Sequence, residues 1–358
     1  MTAFGPVMPP EWAPHERTWM AFPPANETFG ALGDESLDRA RAAWVRVAQT
    51  IAAYEPVTVV ADPEDLETAQ QMLGADITVV PVALDDAWMR DLGLTFVHDA
   101  AGAVHGVDWI FNGWGAQGWA RWEADAAVGG KMAPLAGVPR IPSTLVNEGG
   151  GFHVDGRGTV LLTDTVQLDP GRNPQWSRQE VEAEIHTRLG TRQAVWLPRG
   201  LTRDYGEFGT RGRVDIVASF TESGALLLHR QQDPAHPDFE VGEQLREVLD
   251  RARETEGQPL RIIEVPAPQA LRDEDGEFVD WSYINHYVAN GVVVLCAFDD
   301  PQDAVAAEIL AEAYPGRAVE LVDARDIFRF GGGIHCITQQ QPRPLGVQGQ
   351  KHRGQKHR

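Results

Sequence analysis

The sequence predicts an α/β protein in which five βα-rich units form one ring-like array. Three observations carry this. Amphipathic helical stripes alternate with short β-branched runs along the chain. Helix starts near 177, 239 and 301 are evenly spaced at about 62 residues, and starts near 119 and 36 extend the series less regularly. No Pro/Ser-rich linker divides the 358 residues.

From Ser36, apolar side chains recur at Leu37, Ala40, Trp44, Val47, Ile51 and Tyr54, steps of three and four that make one buried stripe. Pro63 to Leu73 reads as a shorter extra helix, and a Trp-rich segment from Trp119 to Leu135 as another. Ser177 with Glu180 forms a capping box that opens a helix carrying Val181, Ile185 and Leu189. A further helix begins near Asp238, with Val241, Leu245, Val248 and Leu249 inward. Asp300-Pro301 opens the last, through Ala304, Ile309 and Leu310. Strands are expected at Val57–Ala61, Ile77–Pro81, Val104–Phe111, Val160–Thr163, Ala194–Leu197, Val214–Phe220, Ala225–His229, Leu260–Val265, Val292–Ala297 and Ala318–Val322. Residues 1–342 read as a single domain. The end of the chain, GQKHRGQKHR, repeats one basic pentapeptide, so 343–358 read as a disordered basic tail.

Composition narrows the function. A 43% hydrophobic fraction with 11 Trp and 13 Phe excludes general disorder. Against 52 Asp+Glu there are 31 Lys+Arg, a formal charge of −21, which argues against nucleic acid or anionic membrane as partner and favours cationic ligands. Two cysteines cannot make a disulfide framework. There is no apolar run approaching about 20 residues and no basic-then-apolar leader, so the expectation is a soluble, cytoplasmic protein.

Two cysteines have opposite surroundings. Cys296, in VVVLCAF, reads as a core thiol. Cys336, in FGGGIHCITQQQP, follows three glycines and reads as a nucleophile, because glycine lets backbone approach a ligand closely. Three carboxylates are candidates to hold its electrophile. Asp91 follows Trp88-Met89-Arg90, with Trp88 as a cation wall. Glu148 sits in LVNEGGGFHVDG. Asp215 sits in TRGRVDIVASF, where strand alternation puts Arg213, Asp215, Val217 and Ser219 on one face. In the Glu148 segment, His153 and Asp155 read as supporting and turn residues. These acids, a thiol and the negative field suit a planar cation. A guanidinium fits, since carboxylates bind it bidentately and its carbon accepts a thiolate. Metal-ligand and G-x-G-x-x-G spacings do not occur.

The segments MPPEWAPHERTWMAFP, WMRDLGLTFV, WIFNGWGAQ, NEGGGFHVDG, GRNPQWSRQEVEAEI, RVDIVASF, SYINHY and GGGIHCITQQQP, over about residues 5 to 342, resemble the agmatine deiminases of the guanidine-modifying pentein superfamily. The resemblance implies a five-bladed α/β propeller. It implies hydrolysis of agmatine to N-carbamoylputrescine and ammonia, a step towards putrescine, through a covalent cysteine thiouronium and without metal or organic cofactor. Cys336 would be the nucleophile, Asp91 and Asp215 would hold the guanidinium nitrogens, Glu148 would be the further acid and Trp88 the wall. Members of the superfamily often pair, so a homo-oligomer is implied.

The chain departs from the family at two places. The family motif G-H-V-D reads Gly212-Arg213-Val214-Asp215 here, so its general acid-base histidine is Arg213. Arginine donates only and cannot relay a proton, which implies severely impaired turnover. His335 or His153 could substitute, but neither lies on the expected strand face beside Asp215. An inactivating substitution, sequence error or drift, and a changed task such as binding without turnover all fit. The second departure lies in Asp204 to Arg211: Glu207, a candidate for the distal amine, is shifted and Arg211 is added. Arginine or another guanidino compound therefore stands beside agmatine as substrate. A guanidine or polyamine binder and an amidinotransferase are the rival functions.

Overall fold

A computed structural model describes residues 5–346; the repeated basic pentapeptide, and with it most of the expected 343–358 tail, lies outside the described residues. The strands fall into five separate sheets, one of four strands and four of three. Each is built alike. An antiparallel pair is followed by a parallel neighbour, reached through a helix of the kind a parallel crossover requires. The pairs Thr95–His98 with Val104–Ile110, Phe152–Val154 with Thr159–Thr163, Ala218–Phe220 with Ala225–Arg230, and Tyr287–Ala289 with Val292–Ala297 are antiparallel. The second strand of each then runs parallel to Arg140–Val146, Gln193–Leu197, Arg261–Pro266 or Ala318–Asp323. In the remaining sheet the antiparallel partner of His15–Ala21 is Thr338–Pro342, so the two ends of the described fold meet in one sheet.

The crossover helices are Glu35–Ala52, Val128–Ala136, Arg178–Leu189, Asp238–Arg251 and Gln302–Ala313. The expected stripe of the first is buried at Leu37, Ala40, Trp44, Val47 and Ile51; Tyr54 lies beyond the helix end and reaches outward to Glu320. The expected capping box forms in full at Ser177 and Glu180. Burial of the last helix falls on Ala306, Leu310 and Ala313, leaving Ala304 exposed and Ile309 half-buried. The helix expected from Trp119 begins only at Val128, after a 3-10 turn at Asp125–Ala127. Packing overrides periodicity there: Trp119 stacks on Trp114 at 5.3 Å, and Trp122 packs on Gly113.

Val57–Ala61 and Val292–Ala297 form with the expected bounds. Val214–Phe220 is not one strand. Val214–Ile216 is a 3-10 turn and only Ala218–Phe220 pairs, so strand alternation does not set the direction of Arg213 and Asp215. Thr338–Pro342, TQQQP, is wholly buried despite its polarity. Two of its three glutamine oxygens find partners: Gln341 Oε1 accepts from Trp19 Nε1 at 2.8 Å and Gln340 Oε1 from Arg90 Nη1 at 2.7 Å. Among the described residues, no helix is long and apolar enough to cross a membrane.

Replacing Ser177 with Ala removes the cap of the Arg178–Leu189 helix, and a loss of about 1 kcal/mol in urea unfolding is expected.

Candidate active site

Five short turns, each just ahead of the antiparallel strand of a sheet, pack together at the centre. They are Met89–Leu92, Gly149–Gly151, Val214–Ile216, Tyr283–Asn285 and the turn at 334–337. From these equivalent places the fold delivers Asp91, Glu148, Asp215, Asn285 and Cys336. Four of the five, Asp91, Glu148, Asp215 and Cys336, are the residues expected from the sequence. Asn285, the fifth, stands between Ile284 and His286 in SYINHY, a setting with no local sign of a site residue.

Cys336 Sγ is fully buried. It lies 3.4 Å from Asn285 Oδ1 and 3.6 Å from Asp215 Oδ2, and Arg213 Nη2 donates to it at 2.8 Å. Burial pushes the thiol well above its ordinary range and Asp215 adds to this, while Arg213 pulls the other way. Gly332 separates the thiol from Trp88: a Cβ there would stand 2.9 Å from the Trp88 ring and 3.0 Å from Sγ. Trp88 itself packs into an aromatic cluster with Trp44 and Phe29, ring centres 5.3 and 6.3 Å away. Cys296 is a core thiol, as expected, and burial pushes it to about 12.

The Arg213 guanidinium sits between two carboxylates. Nη1 donates to Asp91 Oδ2, and Nε lies 3.5 Å from Asp215 Oδ1. Trp114 Nε1 also donates to Asp91 Oδ2, at 2.8 Å, so the indole bonded to this acid is Trp114 rather than Trp88. Burial raises Asp91 while Arg213 lowers it. Asp215 is charged: burial opposes this, but Arg213 and His335 hold it at about 2. Glu148 faces the same region, with Oε1 accepting from Arg172 Nε at 2.8 Å. One oxygen of each acid, Asp91 Oδ1, Glu148 Oε2 and Asp215 Oδ1, is buried without a hydrogen-bond partner.

His335 corrects the expectation that no imidazole lies beside Asp215. Its Nδ1 is 2.8 Å from Asp215 Oδ2 and its Nε2 2.9 Å from Glu11 Oε2. Strand alternation does not apply here, because the 3-10 turn aims Asp215 at the turn holding His335. Burial and Arg90 lower the His335 pKa, but the two carboxylates outweigh them and the net direction is up. His153 accepts the Phe220 amide at 3.2 Å and burial lowers it to about 3; Asp155 caps its turn, accepting three amides.

Asp204 anchors the loop that carries Arg213, a role with no local sign in the sequence. Buried, it accepts from the amides of Thr210 at 2.6 Å, Gly212 at 2.7 Å and Arg213 at 2.9 Å, and so fixes the loop that presents Arg213. Glu207, by contrast, is exposed on that loop and lines a surface cleft that does not include Asp91, Glu148 or Asp215. A charged acid in a short loop gives no sign of which way it turns.

Residues 7–342 match the family described as Porphyromonas-type peptidyl-arginine deiminase. A Streptomyces coelicolor protein named "Putative agmatine deiminase" is 59% identical over 336 residues, covering 94% of this chain and 98% of its own. The agmatine deiminase of Stutzerimonas stutzeri is 38% identical over 363 residues, covering 95% and 96%. The chain belongs to the agmatine deiminase family. The solved agmatine deiminase of Enterococcus faecalis has the same α/β fold, with a TM-score of 0.89 at 29% identity over 95% of this chain and 97% of that one.

The charge network of this family member sets its pH dependence. Asp215 falls from 3.8 to about 2 on folding, so its contribution is present above 3.8 and is lost as pH drops through 2. His335 is raised above 6.5, so its contribution is present below 6.5 and is lost as pH rises through the higher folded value. Urea midpoints are expected to fall on both sides. Asp215→Asn should flatten the acid limb, worth on the order of 2 kcal/mol, and His335→Gln the alkaline one.

Proposed function

We propose that the chain is a cytoplasmic, cysteine-dependent deiminase architecture for agmatine, forming one domain over residues 1–342 whose five sheets are the blades of a five-bladed α/β propeller. The observation that carries the reading is the set of three unpartnered carboxylate oxygens on Asp91, Glu148 and Asp215 around the buried Cys336 thiol. Such oxygens demand a cationic donor, because leaving them unpaired costs the full desolvation of each. A guanidinium supplies up to five N–H donors in one plane and brings an electrophilic carbon to the sulfur.

In this chemistry the Cys336 thiolate adds to the guanidinium carbon. The C–N bond breaks and the nitrogen leaves as ammonia after gaining a proton. Water then adds to the thiouronium carbon and gives up a proton, and the C–S bond breaks to release the ureido product and the thiol. Asp91, Asp215 and Glu148 hold the cation through both steps, and Trp88 walls the Cys336 side. The negative field of a chain with formal charge −21 favours agmatine, a dication without a carboxylate, over arginine.

Proton transfer is the weak point. The family's histidine is Arg213, which has no basic form to offer. His335 has both ring nitrogens engaged by Asp215 and Glu11. Turnover is therefore expected to be low in this chain. A colorimetric ureido assay with agmatine and arginine tests it. Arg213→His should raise agmatine turnover by about 10²–10⁴-fold, with Cys336→Ser abolishing it again. No ureido product from Arg213→His would refute the assignment.

A further inference from the structure

The Arg213 guanidinium has an unusual address. It is 1% exposed, and its side-chain partners are Asp91, Asp215 and the Cys336 sulfur. Gly150 closes on it so tightly that a Cβ there would stand 2.8 Å from Arg213 Cζ. Two carboxylates flanking a guanidinium, with a thiol against one amino nitrogen, are the contacts assigned above to the substrate. Two cations cannot share them at van der Waals contact, where their repulsion in a dry site is strong.

We propose that Arg213 is a tethered occupant of the guanidinium subsite, filling the place of a substrate's guanidinium and closing the centre to free guanidino compounds. This rests on the reading of the centre as a guanidinium site. The tether is short and held at its base. Asp204 binds the amides of both Gly212 and Arg213, and Gly212 takes a φ of +96°, a left-handed conformation that suits glycine. A group fixed this way meets its site at an effective concentration that a free ligand must exceed to displace it. The fit is incomplete. Arg213 Nε, Asp91 Oδ1 and Asp215 Oδ1 have no hydrogen-bond partner, because the tether keeps the guanidinium from lying squarely against both acids. An untethered guanidinium is free of that restriction and completes these contacts. Occupancy also argues against a guanidine-binding role for this chain, since its cradle is already filled.

Thermal unfolding with methylguanidine as probe tests the proposal. At about 10 mM probe the wild-type Tm should stay unchanged, while Arg213→Ala and Arg213→Gln, each with a vacated subsite, should gain a few degrees. Iodoacetamide labelling of Cys296, buried in the core, reports whether each variant is folded. An equal rise in wild type and variants overturns the proposal, as does no rise in a folded variant. Should both variants unfold, a rise in wild type alone overturns it and its absence, with methylguanidine restoring Cys296 protection in either variant, upholds it. The ureido assay separates the two readings. Agmatine turnover by Arg213→His together with probe binding to wild type removes occupancy and leaves the deiminase assignment. Probe binding confined to the vacated variants, with no ureido product from Arg213→His, does the reverse.

Discussion

Asp91 and Asp215 are both within a few per cent of complete burial, and they come from different units of the fold. Two carboxylates cannot be charged and dry in one place without a cation between them. That requirement shapes everything around it. Arg213 supplies the cation, Asp204 fixes the loop that carries Arg213, and Arg172 ties Glu148 to the Thr210 carbonyl of the same loop. On the far side Glu11 and Arg90 complete the balance, with His335 between Glu11 and Asp215. Removing one partner of such a pair costs about 3–5 kcal/mol, a large share of the 5–15 kcal/mol that holds a typical domain folded. The centre is therefore a cooperative clasp between units as well as a site.

The repeated unit explains how one topology supplies several chemistries. A short turn ahead of each antiparallel strand points a polar residue inward, and sheet pairing fixes the turn without caring which residue it carries. Aspartate, glutamate, aspartate, asparagine and cysteine occupy the five places. In the proposed reading the acids select a cation and the thiol supplies a nucleophile; Asn285 lies between them, donating to the Asp215 carbonyl at 3.1 Å and accepting the His335 amide at 3.1 Å. The scaffold determines where the chemistry happens, and the side chains determine what it is.

The parts legible in the sequence were those written in local patterns. The stripe of Glu35–Ala52, the Ser177 capping box and β-branched runs such as Val57–Ala61 and Val292–Ala297 follow from neighbours along the chain, and they formed where expected, whereas the helix expected from Trp119 and the strand expected over Val214–Phe220 did not. Cys336, Asp91, Glu148 and Asp215 were legible because each breaks an apolar or glycine-rich setting. What escaped depended on contacts far along the chain. Thr338–Pro342 carries no hydrophobic signal, and it is a strand because His15–Ala21, more than 300 residues earlier, pairs with it. The 3-10 turn at Val214–Ile216 has strand-like composition but is bent by its contacts with neighbouring turns. His335 looked unrelated to Asp215 for the same reason. Glu207 and Asp204 show the limit most plainly: two acids three residues apart, one exposed and one the anchor of the loop, with nothing local to tell them apart.

Arginine at position 213 acts on the thiol in two opposed ways. Its charge favours the thiolate against burial and Asp215, which both disfavour it. By that measure alone it would assist a nucleophile. Its bulk works the other way, because Nη2 stands 2.8 Å from Sγ, inside the space an incoming electrophilic carbon has to enter. Field and occupancy are not interchangeable. A thiolate that is easier to form gains nothing while the approach to it is filled, whereas a vacated approach allows reaction even through a small thiolate fraction. Occupancy therefore decides the outcome, and the pairing that makes Arg213 stable in its cradle is also what keeps the cradle from its substrate.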